Sequence, residues 1–140
     1  MNDLMAQIDL ATGVRLAVWD RLGIWFSGIC IVHCLTLPVF LLALSYWPEL
    51  EGAHAWVHPA FALMLLVTTL PAARSAIVRH RVPGVAALLL VGLAIVLMAL
   101  LLGVRAGIWV EDGLTLAGSV LLVTGHWKNG RACARGHCSH

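Results

Sequence analysis

Charge is what this 140-residue sequence has least of: nine Lys and Arg and seven Asp and Glu make up 11% of it, against 61% apolar residues and a mean hydropathy of +0.91. An ordinary soluble domain carries about 25% charged residues, so too little polar surface is present to cover a water-exposed fold. Strict alternation of apolar and polar residues is also missing, which excludes a transmembrane barrel. No glycine-rich nucleotide loop, nucleophile elbow, internal repeat or basic nucleic-acid patch occurs. Those absences argue against a nucleotide-driven pump, a serine hydrolase and a nucleic-acid binder. Residues 1–22 lack the basic start, continuous apolar stretch and small-residue cleavage site of a signal peptide. They read as a cytoplasmic or interfacial lead, either disordered or forming a short helix through Leu4, Ile8 and the Val14–Trp19 stretch.

What is abundant is apolar sequence in bilayer-length runs. A hydrocarbon core about 30 Å thick needs roughly 20 residues of helix, and four runs approach that length: Gly23–Ser45, Val57–Ile77, Gly84–Val104 and Ile108–Trp127. The connections are short: Tyr46–Trp56, Val78–Pro83 and Arg105–Gly107. Short connections make sequential helices antiparallel neighbours. The expectation is an all-α membrane protein, a four-transmembrane-helix up-and-down bundle over residues 23–127, followed by a Cys/His tail at 128–140.

Orientation follows from Lys and Arg, which are retained on the cytoplasmic side. Arg15, Arg21, Arg74, Arg79, Arg81, Lys128, Arg131 and Arg135 fall on one side and Arg105 alone on the other. Glu49, Glu51, Glu111 and Asp112 lie on that other side. The tryptophans divide into Trp19, Trp25 and Trp127 against Trp47, Trp56 and Trp109, as two interfacial belts require. Both termini are therefore expected in the cytoplasm.

The first span holds the stretch GICIVHCLTLP. Side chains at i, i+3 and i+4 share a helix face, so Cys30, His33 and Cys34 form a candidate ligand set near the bilayer centre. Thiolates select soft or borderline ions such as Hg(II), Cu(I) and Zn(II), and imidazole widens the choice towards zinc. Such binding requires deprotonated thiols and strengthens as pH rises. Pro38 leaves the Cys34 carbonyl without its helical partner and predicts a kink. The competing reading is that cysteine packs as a small apolar residue. A disulfide one helical turn apart is disfavoured by geometry.

A second candidate set lies in CARGHCSH: Cys133, His137, Cys138 and His140, which in a flexible tail could wrap one tetrahedral ion. On the outer side His54 and His58, with Glu49 and Glu51, could attract cations at a mouth, although His58 precedes Pro59 and also suits a helix start. Glu111 and Asp112 suit a helix N-terminus, while Glu111 is also a candidate relay ligand. His80 and His126 mark the inner side as exit-site candidates, or simply as hydrogen-bonding anchors.

These residues carry a resemblance. HCLTLP at His33–Pro38, the pair His80–Arg81, EDGLTLAGS at Glu111–Ser119 and HWKNGRAC at His126–Cys133 resemble the MerC-domain family, small four-span membrane proteins associated with mercuric ion uptake. The resemblance extends from Asp20 to Cys138. It implies that intramembrane cysteines receive the ion from outside, and that Cys133 and Cys138 hand it to a cytoplasmic acceptor protein. In the mercury-resistance members two residues separate the first-span cysteines; here three do, including His33, which keeps zinc or another transition metal open as cargo.

The expected function is thus uptake of a thiophilic ion, Hg(II) or Zn(II), through the bacterial inner membrane, by a carrier and not an enzyme. No permanently bound cofactor is expected; the partners are the metal ion, the lipid bilayer and a cytoplasmic acceptor, with no nucleic acid. A metal-responsive sensor or adaptor that moves no ion is the rival of another class, and a redox role for Cys30 and Cys34 the weaker third. Gly84, Gly92, Gly103, Gly113 and Gly118 permit close helix packing, within one chain or in a homo-oligomer.

Overall fold

The computed structural model describes residues 18–36, 39 and 56–134. They form four helices: α1 (Val18–Thr36), α2 (Val57–Val78), α3 (Pro83–Ala106) and α4 (Ile108–Ala134), with no strand among the described residues. By length and composition α1, α2 and α3 can each cross a membrane. Four apolar crossings were expected, and α4 is the exception. Its 27 residues are ample in length, but it is not among the three described helices apolar enough to cross, and it carries Glu111, Asp112, His126, Lys128 and Asn129. The packing matches this polarity, because five of the eleven buried polar side chains described, Asp112, Thr115, Ser119, His126 and Asn129, belong to α4.

The helix directions follow from who touches whom. Gly92 of α3 meets Gly118 of α4, Leu89 meets Gly125 and Gly103 meets Glu111, so α3 and α4 are antiparallel. Asp20 of α1 bonds His126 and Asn129 of α4. His33, further along α1, stacks edge-on against His58. His58 in turn bonds Glu111. α1 therefore also runs against α4, while α2 runs with it, the order of an up-and-down bundle.

The helix boundaries have local causes. Pro83 opens α3, where its missing N–H costs nothing and its fixed φ suits the first turn. α3 continues to Ala106, so the expected three-residue connection to α4 is in fact Gly107 alone. Its φ of 92° lies in the left-handed region, which glycine adopts without steric cost. In α1, Asp20 is drawn inside by its partners on α4.

The apolar core lies between α2 and α3. Ala62, Leu65, Ala72, Ala73 and Ala76 pack on Val85, Leu89, Leu93 and Val96, with Leu122 contributed by α4. Facing outwards are Trp25, Ile29, Val32 and Leu35 on α1, Leu63 and Val67 on α2, and Leu101 on α3. An apolar surface that continuous is an aggregation liability in water and the expected lining in lipid.

Candidate metal site

The chemistry collects where α1 meets α4. On α1 the residues Asp20, Gly23, Ser27, Cys30 and Cys34 are all buried. Their spacing of three and four residues is the period that keeps one helix face against a partner. Facing them on α4 are Asp112, Ser119 and His126, seven residues apart, with Asn129 one turn beyond His126. Cys30 and Cys34 are free thiols, 2% and 4% exposed. They lie in hydrogen-bonding reach of each other, with the Asp112 carboxyl beside Cys34. Ser119 stands next to Cys30 without closing a hydrogen bond to it.

His33 is turned differently. Its ring packs against the second helix, 5.6 Å from the His58 centroid and 6.1 Å from Phe61. The expected trio is thus shared between two interfaces, the thiols towards α4 and the imidazole towards α2. Among the described residues, no three His, Cys, Asp or Glu side chains stand close enough together to hold an ion. Along α4, Cys34 is level with Asp112 in the second turn, and Cys30 with Ser119 near the middle of that helix.

At that acidic end the structure unites two residues proposed separately from sequence. His58 Nδ1 donates to Glu111 Oε1 at 2.8 Å. Glu111 reaches this position because Gly103 on α3 has no side chain; a Cβ there would collide with the carboxylate.

The opposite, basic end is closed by a buried polar cluster. His126 Nδ1 donates to Asp20 Oδ1 at 3.0 Å, and Asn129 Nδ2 lies 3.1 Å from Oδ1 and 2.8 Å from Oδ2. Thr69 Oγ1 of α2 lies 3.4 Å from His126 Nε2. The His126 ring is wholly enclosed, and it fits only because Gly23 lies beneath it, where a Cβ would strike the ring. His126 thus serves as an interhelical anchor. His80 plays a smaller anchoring part, 3.1 Å from Ser75 Oγ.

Cys133 is the penultimate residue of α4, where a flexible tail was expected. It falls seven residues after His126 and so continues the register of Asp112, Ser119 and His126. Pro38, Glu49, Glu51, His54, His137, Cys138 and His140 lie outside the described residues.

Sequence reasoning had assigned Asp20 to the lead, read Asp112 as a dipole partner, and passed over Ser27, Ser119 and Asn129. A usable signal was present: polar residues every seventh position, at 20 and 27 leading to Cys34, and at 112, 119 and 126 leading to Cys133.

With this geometry in view, the comparisons decide the family. The model of the MerC mercury resistance protein family matches residues 20–131. The chain belongs to the MerC family. That match begins at Asp20 and ends at Arg131, so it contains both ends of the α1–α4 interface as well as the thiol pair. No curated protein and no solved structure matches the chain. With three apolar helices of membrane-crossing length, this MerC-family chain is a multi-pass membrane protein.

Proposed function

We propose that the protein is an inner-membrane carrier that takes up a thiophilic divalent ion, mercuric ion in the first place, by ligand exchange onto Cys30 and Cys34. The observation that carries this reading is the thiol pair itself: two free, buried cysteines on successive turns of a membrane helix. Zinc is held almost always by four donors, or by three and a water, whereas the described residues form no group of three His, Cys, Asp or Glu placed to hold an ion, although Asp112 stands beside Cys34. A soft ion is satisfied by thiolate sulfur. Membership of the mercury resistance family points the same way.

In this reading the basic end faces the cytoplasm, by the retention of Lys and Arg there, and α4 is the fourth crossing. α4 packs antiparallel to α3 from Gly103 and Glu111 to Leu89 and Gly125, so a bilayer that holds α3 also holds α4. His58 and Glu111 form the mouth at the acidic end. Cys133, with Cys138, would pass the ion to a cytoplasmic acceptor.

The test is accumulation of Hg(II) and of Zn(II) by intact cells expressing wild type or Cys34→Ser at equal level. Loss of a bound partner even one shell removed from a metal costs about 10- to 100-fold, so Hg(II) uptake should fall by at least that factor in the variant. Uptake of Zn(II) instead, lost with Cys34, would change the cargo. Absence of uptake of either ion by a folded wild type would leave the sensor or adaptor reading, in which deleting residues 131–140 abolishes the response and Cys34→Ser does not.

A further inference from the structure

Among the described residues, four buried side-chain oxygens inside the bundle have no hydrogen-bond partner: Ser27 Oγ, Ser119 Oγ, Asp112 Oδ1 and Asn129 Oδ1. All four belong to residues at least nine-tenths buried. A buried oxygen left unpaired costs about 1–3 kcal/mol, so one orphan is a curiosity and four on one interface need a common cause. They are not scattered. Ser27 comes from α1 and the other three from α4, on the interface that also holds Cys30 and Cys34. The core between α2 and α3 is apolar, and among the described residues α3 contributes no buried polar side chain.

The charge along this interface has one sign. Asp112 stands towards one end and Asp20 at the other, both buried, whereas the described Lys and Arg side chains are exposed or half-buried. An interior lined by carboxylates, hydroxyls and an amide carbonyl attracts cations and repels anions. In lipid, such groups face protein, water or a cargo.

We propose that the α1–α4 interface is a hydrated, cation-selective path through the bundle, with Ser27, Ser119, Asp112 and the Asn129 carbonyl as the oxygens that stand in for the ion's water shell on either side of the thiol pair. This deepens the carrier reading and rests on it for the nature of the cargo. The path runs from the mouth at His58 and Glu111, past Cys34 and Cys30, to the Asp20–His126–Asn129 cluster that closes the basic end. Waters occupying it satisfy the four oxygens when no ion is present.

The experiment is chemical labelling of introduced cysteines in the full chain, in native membranes, with Cys30, Cys34, Cys133 and Cys138 replaced by Ser. Ser27→Cys and Ser119→Cys are the path positions, on two different helices, and each exchanges oxygen for sulfur at almost constant shape. Ala76→Cys, equally buried but in the apolar core, is the control. Reactivity follows access and thiolate character, so a cationic methanethiosulfonate should label both path positions at least about tenfold faster than the control, and faster than its anionic counterpart does. Path positions as inert as Ala76→Cys would overturn the proposal, and equal rates with the two reagents would overturn its cation selectivity. In parallel, Ser119→Leu in the otherwise wild-type chain should block Hg(II) uptake while Cys30 and Cys34 still bind Hg(II); undiminished uptake would also overturn the path. A wild type that takes up no ion removes the carrier reading alone, and the labelling rates still decide whether the interface is a hydrated path.

Discussion

Asp20 shows how much one residue's partners decide. A carboxylate alone in a bilayer interior costs several kcal/mol, and its stability there depends on compensation by a partner. Here His126 and Asn129 supply three hydrogen bonds to it. Removing one member of such a pair leaves the other uncompensated, typically at a cost of about 3–5 kcal/mol. His126→Ala should therefore destabilise the protein by that order, read from unfolding in mixed detergent micelles. Combining it with Asp20→Asn should recover part of the loss, because the stranded charge is then gone. Strict additivity of the two substitutions would show that the pair is not coupled. Sequence alone left His126 as either an exit ligand or an anchor; the anchoring bond it makes, to a residue 106 positions away, is visible only in the structure.

Among the elements, α3 and α4 are held together through glycine. Gly92 and Gly118 face each other so closely that a Cβ at Gly118 would lie 2.8 Å from the Gly92 carbonyl oxygen and 2.7 Å from Val96 Cγ2, while a Cβ at Gly113 on the same helix meets nothing within 4 Å. Backbone cannot yield as a flexible side chain can. Gly118→Ala should cost about 1–3 kcal/mol, the usual penalty of overpacking, whereas Gly113→Ala should be neutral within about 0.5 kcal/mol. Thermal unfolding of the two variants in the same detergent separates them. Equal melting temperatures would mean that the close approach contributes nothing. The glycines were visible in the sequence as small residues suited to packing, but which of them meets a neighbour depends on helix rotation, and composition carries no information about that.

For the whole molecule, the open question is whether the polar α4 crosses the bilayer with α3. In the proposed topology it does, in keeping with its antiparallel packing along α3, and both ends of the chain then share one side. A fluorescent protein fused after His140 should fold and fluoresce, as a cytoplasmic fusion does, and an alkaline phosphatase fused there should stay inactive. The reverse pattern would leave α4 outside the membrane and the C-terminus on the far side.

What the sequence determined by itself was the solvent and the kind of fold. Runs of apolar residues as long as a bilayer is thick can satisfy their backbone only as helices, and the short connections seen in the chain made neighbours antiparallel. It also placed Cys30 and Cys34 on one helix face, since helical periodicity brings i and i+4 together whatever surrounds them. The tertiary structure alone decided the rest. It turned His33 towards α2, joined His58 to Glu111, brought Asp20 into the bundle, and put Asp112, Ser119 and Ser27 on the interface that holds the thiols. Each of these depends on contacts between residues far apart in the chain, set by how four helices rotate and tilt to bury their polar faces together, and no local pattern specifies that rotation.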